Sequence, residues 1–113
     1  MSAPTQTRKA AHIVAEVTFK PYDLGGRSVM PVGSGYAPYL RTGLVPDDLA
    51  VRVNNVPAGA EFGAAIMVTI ELTYYPQLDY GPLADGVPIM LVEGPKVIAE
   101  GICKSPIITI TTS

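Results

Sequence analysis

Few side chains in this chain could do chemistry. Of 113 residues, one is a histidine, His12, and one a cysteine, Cys103. His12 stands four residues before Glu16 in an alternating stretch, a spacing that places an imidazole and a carboxylate on one strand face, two pleats apart. General acid–base work would also need a nucleophile or substrate-binding group beside them, and "AAHIVAEVTF" offers none. A solvent-facing pair is the simpler reading. Cys103 precedes Lys104, a cation that would lower the pKa of an exposed thiol, yet in an apolar strand a lone cysteine reads as a small buried hydrophobe. Asp47 and Asp48 are adjacent, so in a strand they point to opposite faces and in a turn they solvate it; neither arrangement builds a cation site. Ser34, between Gly33 and Gly35, lacks the G-x-S-x-G spacing of a nucleophile elbow and has no triad partner. The residues therefore assign no catalytic, cofactor-binding or metal-ligating role, and the expected protein is not an enzyme.

Composition narrows the remaining classes. The length is that of one domain, and 48% hydrophobic against 16% charged residues is enough to build a core without staples. A net charge of −2 gives no general attraction to phosphate, which argues against DNA and leaves RNA only a local patch. One cysteine excludes an intramolecular disulfide and a thiolate zinc cage, which fits the cytoplasm. The opening "MSAPTQTRKAAH" lacks the apolar centre of a signal peptide, and apolar runs elsewhere are interrupted well short of membrane-spanning length. The expectation is a soluble, unexported chain.

Eleven prolines and eleven glycines leave little room for helices, and the clear hydrophobic period is two. In "AIMVTIELT" Ile66, Val68, Ile70 and Leu72 alternate with polar or smaller residues; in "HIVAEVTF" Ile13, Ala15, Val17 and Phe19 do the same. Further strands are expected at Tyr39–Leu44, Leu49–Val53, Val87–Val92 and Val97–Cys103, between turn-rich segments such as "PYDLGG", "NNVPAG" and "YPQLDYGPLADG". Six short strands would expose two edges as an open sheet, and closure removes them. The fold class is all-β, a small six-stranded antiparallel β-barrel. Residues 1–11 are expected to form a flexible tail, 12–103 the barrel, and 104–113 a C-terminal strand or tail; "PIITITTS" is β-branched and uncharged, so it suits an added edge strand or a self-association surface.

The order of residues carries more than the composition does. "AEVTFKPYDLGGRSVMPVGSGYAPYLRTG" resembles the start of the C-terminal β-barrel, domain III, of elongation factor Tu and its relatives, in which an AEV strand precedes GGR, a proline, a GY pair, another proline and an RT pair. "MVTIELTYYPQLDYGPLADGVPIMLVEGPKVIAEG" resembles the closing half of that domain, ending in a hairpin that turns at Glu93 and Gly94. The resemblance implies a six-stranded barrel of the kind that, in the family, sits behind a GTPase domain and contacts the T-stem of aminoacyl-tRNA and the nucleotide-exchange factor. No G-x-x-x-x-G-K-[ST] phosphate loop is present, so GTP binding does not come with it. Ala37, Pro88 and Val92 stand where the family carries arginines, which weakens the implied grip on an RNA stem.

Arg27 and Arg41 occupy matched positions of the resemblance, where a binding role competes with ion pairs to acids such as Asp23 or Glu16 that would pin the long loop; Glu93, Gly94 and Lys96 are matched too, the last keeping a basic charge. Tyr36 and Tyr39 lie with Tyr74, Tyr75 and Tyr80 in proline-rich loops, where a large ring with a polar tip serves either an interface or a plug for the barrel end. The expected partner-binding set is thus Arg27, Tyr36, Tyr39, Arg41, Glu93, Gly94 and Lys96. Three functions compete. A binding module engaging a protein partner leads, a translation accessory holding a tRNA T-stem follows, and a small-barrel enzyme uniting His12 with Cys103 comes last.

Overall fold

The computed structural model describes residues 8–112. Its strands are β1 (Arg8–Phe19), β2 (Tyr39–Arg41), β3 (Leu49–Asn54), β4 (Ala65–Leu72), β5 (Pro88–Glu93), β6 (Lys96–Cys103) and β7 (Ile108–Thr112). A three-residue 3-10 turn, Tyr22–Leu24, follows β1. Neighbours run β4-β3-β2-β5-β6-β1, and β1 pairs again with β4, which closes a six-stranded antiparallel barrel. β7 is bonded to β1 outside that ring. Among the described residues no helix is long and apolar enough to cross a membrane.

β1 closes the ring because it is long enough to pair on both edges. Its residues His12 to Thr18 run antiparallel to β4, and Ala15 to Phe19 run antiparallel to β6. Alternation then sorts its side chains: Ile13, Ala15, Val17 and Phe19 point inward and are buried, while His12, Val14, Glu16 and Thr18 point out. The same rule sends Val68, Ile70 and Leu72 of β4 and Val51 and Val53 of β3 into the core. Along β5 and β6 the alternation breaks. The register shifts between Leu91 and Val92, pairing Leu91 with Ala99 but Val92 with Val97, so Ile98 is left over as a bulge. Leu91 and Val92 are both buried, as are Ile98 and Ala99, and the bulge bends the hairpin around the small barrel.

One end of the barrel is plugged by Tyr80, 1% exposed, whose hydroxyl donates to the carbonyl of Ala50 at 2.7 Å and accepts the N–H of Tyr74 at 3.2 Å. Leu83 is buried with it. Of the two roles open to the loop tyrosines, Tyr80 takes the plug.

The strand boundaries differ from the sequence expectation by more than two residues in two places. β1 begins at Arg8 rather than residue 12, because residues Arg8 to His12 find a partner in β7; the remainder of the expected tail, 1–7, lies outside the described residues. β2 ends at Arg41 rather than Leu44. Thr42 turns inward, 3% exposed, and its Oγ1 accepts the N–H of Leu44, taking the chain out of the ladder before Gly43 and Pro46.

Where β6 crosses β1 the backbones approach so closely that only glycine fits. A Cβ at Gly101 would lie 2.2 Å from the Glu16 carbonyl oxygen and 2.8 Å from Val17 Cγ1. Gly101→Ala is expected to lower stability by about 2–4 kcal/mol through forced separation of two central strands. Urea denaturation of the purified variant would measure this, and an unchanged midpoint would contradict the close approach.

Candidate partner-binding surface

The long connection from β1 to β2 is pinned at both ends. The N–H of Arg27 donates to the Lys20 carbonyl at 3.0 Å and that of Gly26 to Pro21 at 2.9 Å. A Cβ at Gly26 would lie 1.8 Å from the Lys20 oxygen, so the glycine is sterically required. Further along, Gly33 bridges to Val56 and Tyr36 to Val53, laying the loop beside β3. The hydroxyl of Ser34 accepts the N–H of Asn55 at 3.0 Å, a structural use of that serine.

This path carries Arg27 and Tyr36 to the turn between β5 and β6, where Glu93 and Gly94 sit. The Tyr36 hydroxyl and the Arg27 guanidinium both donate to the same oxygen, Glu93 Oε2. The guanidinium also stacks 4.4 Å from the Tyr36 ring centroid, which in turn lies 6.4 Å from the ring of Phe19 in the core. Arg27 Nε donates to the Val29 carbonyl at 3.0 Å. Lys96, paired in register with Glu93, holds its ammonium 5.7 Å from the Tyr22 ring.

Charge and burial compete at Glu93. Burial pushes its pKa up, but the hydrogen bonds from Tyr36 and Arg27 favour the carboxylate and the net shift is downward. At Tyr36 burial raises the phenol pKa, and its bond to Glu93 raises it further. At Arg27 burial acts to lower the pKa, and the bonds to Tyr36 and Glu93 reverse that.

Tyr39 lies one strand over, directly opposite Val92, with half its surface exposed. Arg41 belongs to the same outer row of β2 but sits farther from the turn, opposite Met90. It forms a two-pronged ion pair, Nε to Asp48 Oδ1 at 2.9 Å and Nη2 to Oδ2 at 3.0 Å, and this bond holds the Asp48 carboxyl below its usual range. The structure thus joins Arg27, Tyr36, Glu93, Gly94 and Lys96 on one face with Tyr39 at its border, and leaves Arg41 in a separate pair.

Four residues on the same connection escaped the sequence reading: Tyr22, Leu24, Val29 and Val32, exposed at 72, 69, 66 and 50%. Apolar side chains that alternate with nothing, in a glycine-rich loop too short of partners to bury them, were the available signal.

The residues weighed for catalysis are kept apart. His12 is on the outer face of β1, its register partners being Glu71 and Ile108; Glu71 in turn lies 3.8 Å from Arg52. Cys103 points inward, fully buried, and its thiol donates to the Ser105 carbonyl at 3.0 Å. Burial pushes the Cys103 pKa up, so the thiol stays protonated and Lys104 does not activate it. Among the described residues no three His, Cys, Asp or Glu side chains gather to hold a metal ion. A comparison with protein-family models and another with curated proteins find no match to this chain.

Glu93→Gln keeps an amide oxygen as acceptor but removes the charge that strengthens the bonds from Arg27 and Tyr36 to the β5–β6 turn, and is expected to cost about 1 kcal/mol at neutral pH, the pair being partly exposed. Because the folded-state pKa of Glu93 is depressed, its contribution is present above the ordinary carboxylate pKa of about 4 and lost as pH falls through the lower folded value. Stability of the parent chain should therefore drop more steeply below about pH 4 than that of Glu93→Gln, as read from denaturation midpoints across an acid series. Parallel curves would contradict the assignment.

Proposed function

We propose that this chain is a non-enzymatic binding module, a barrel of the elongation factor Tu domain III kind that engages a protein partner in the cytoplasm. The observation that carries the reading is the composition of the surface around the β5–β6 turn. Exposed Tyr22 beside Lys96, Tyr39 opposite Val92, and Val29, whose carbonyl accepts from Arg27, flank an ion-paired centre made by Arg27 and Glu93. Rings and aliphatic groups held on a bonded frame suit a protein interface, where aromatic and arginine side chains are enriched.

The same surface bears on the RNA alternative. A stem is gripped by cations free to replace counterions on phosphate. Lys20, Arg27, Arg41 and Arg52 each lie within ion-pair distance of a carboxylate, Glu100, Glu93, Asp48 and Glu71 respectively. A phosphate would have to displace those partners, with Lys96 and Lys104 the cations outside ion pairs among residues 10–110, which favours protein over a tRNA T-stem. The single buried thiol, with no second cysteine to oxidise against, is consistent with a cytoplasmic setting.

Tagged chain should retain a stoichiometric protein from its own cell extract after ribonuclease treatment, and Tyr22→Ala with Tyr39→Ala, both exposed and expected to fold normally, should lower that retention by at least roughly tenfold, as loss of two interface aromatics does. Retention that vanishes with ribonuclease, together with salt-sensitive binding of a model RNA stem, would replace this reading with the RNA one. Retention unchanged in the double variant would place the interface elsewhere.

A further inference from the structure

β7 lies at the other end of β1 from the surface just described. It pairs with β1 alone, Ile108 against His12 through Thr112 against Arg8, and among the described residues it touches no other strand. Every second residue of β7 therefore turns its N–H and C=O away from β1, along an edge that no strand covers. Edges of this kind are ordinarily blunted by charge, proline or brevity. β7, five residues long, lacks the first two of these protections from Ile107 on: "IITITTS" carries no charged residue and no proline. Ile108 and Ile110 are exposed on its outer face, at 37 and 46%.

The chemistry of the occupant follows. An open ladder edge accepts an extended strand, and an edge lined by isoleucine and threonine accepts one without charge. Within this chain β7 itself meets that description, whereas β1, whose sequence begins Arg8-Lys9, carries the cations that discourage strand addition. We infer that β7 pairs antiparallel with β7 of a second copy, forming a two-fold dimer with a continuous β1-β7-β7-β1 sheet. Thr109 would sit on the two-fold axis opposite its counterpart, and each Ile108 would face Ile110 of the second copy on the outer side. This register gathers the exposed isoleucines into one cluster and brings no like charges together. On the inner side a groove of about 600 Å³, lined by Tyr75, Pro76, Leu78, Ile107 and Thr109, leaves room beside β7 for the inward side chains of the added strand. The pairing is isologous, so it uses both β7 edges and stops at two copies. A strand of five residues makes a small interface, and the dimer should be reversible.

Sedimentation of the full chain across low to high micromolar concentration tests the inference. A monomer–dimer equilibrium is expected, weakened by roughly tenfold in Thr109→Lys, where two ammonium groups would oppose each other on the axis. Because Cys103 is buried, Thr109→Cys in the otherwise unchanged chain should become the sole site of a disulfide-linked dimer under mild oxidation, and this readout stands even where the lysine variant folds poorly. A chain monomeric throughout, a dimer indifferent to Thr109→Lys in a well-folded sample, a Thr109→Cys chain that does not cross-link, or open-ended growth beyond two copies would each overturn it.

Discussion

The barrel depends on one strand being paired along both edges. Between Ala15 and Thr18, β1 holds β4 on one side and β6 on the other. Without that double pairing the other five ring strands would form an open curved sheet with two raw edges, and Ile13, Val17 and Phe19 would lose the facing wall that buries them. Gly101 belongs to the same constraint, because at that one position β6 lies too close to β1 for a Cβ. The length of β1 has a second consequence. Its first residues run past the ring, and that overhang is what β7 adds to.

The proposed partner-binding surface is a product of closure too. Phe19, at the end of β1, stacks against Tyr36, and Tyr36 meets Arg27 at Glu93 on the β5–β6 turn. A loop with little regular structure is thereby fastened to the barrel wall by one carboxylate oxygen serving two donors. The fastening is electrostatic, while Tyr22, Leu24 and Val29 on the same connection stay exposed. The geometry separates a frame that holds shape from side chains available for contact.

Much of the architecture was legible because strand alternation survives translation into burial almost residue by residue. Ile13, Ala15, Val17 and Phe19 are inward as their spacing indicates, and so are Val68, Ile70 and Leu72. The bulge at Ile98 was not legible: Leu91-Val92 and Ile98-Ala99 are adjacent pairs that are buried together, and local alternation assigns one of each to solvent. Of the residues that the resemblance puts in one partner-binding set, the fold brings Arg27 to Glu93 and Lys96 to the same turn, and pairs Arg41 with Asp48. Ion-pair partners separated by tens of residues leave no periodic trace. The exposed apolar residues of the first loop leave no periodic signal either, because the glycines and prolines among them break any alternation.

Amide hydrogen exchange tests the double pairing of β1 most directly. Backbone amides of β1 from Ala15 to Thr18, and their partners in β4 and β6, should exchange only with global unfolding and share one free energy, while amides at the start of β1 and in β7 should exchange more readily through local opening. If the amides from Ala15 to Thr18 exchanged as fast as those of β7, or if β1 separated from β6 in a distinct, lower-energy opening, the ring would not be closed as described.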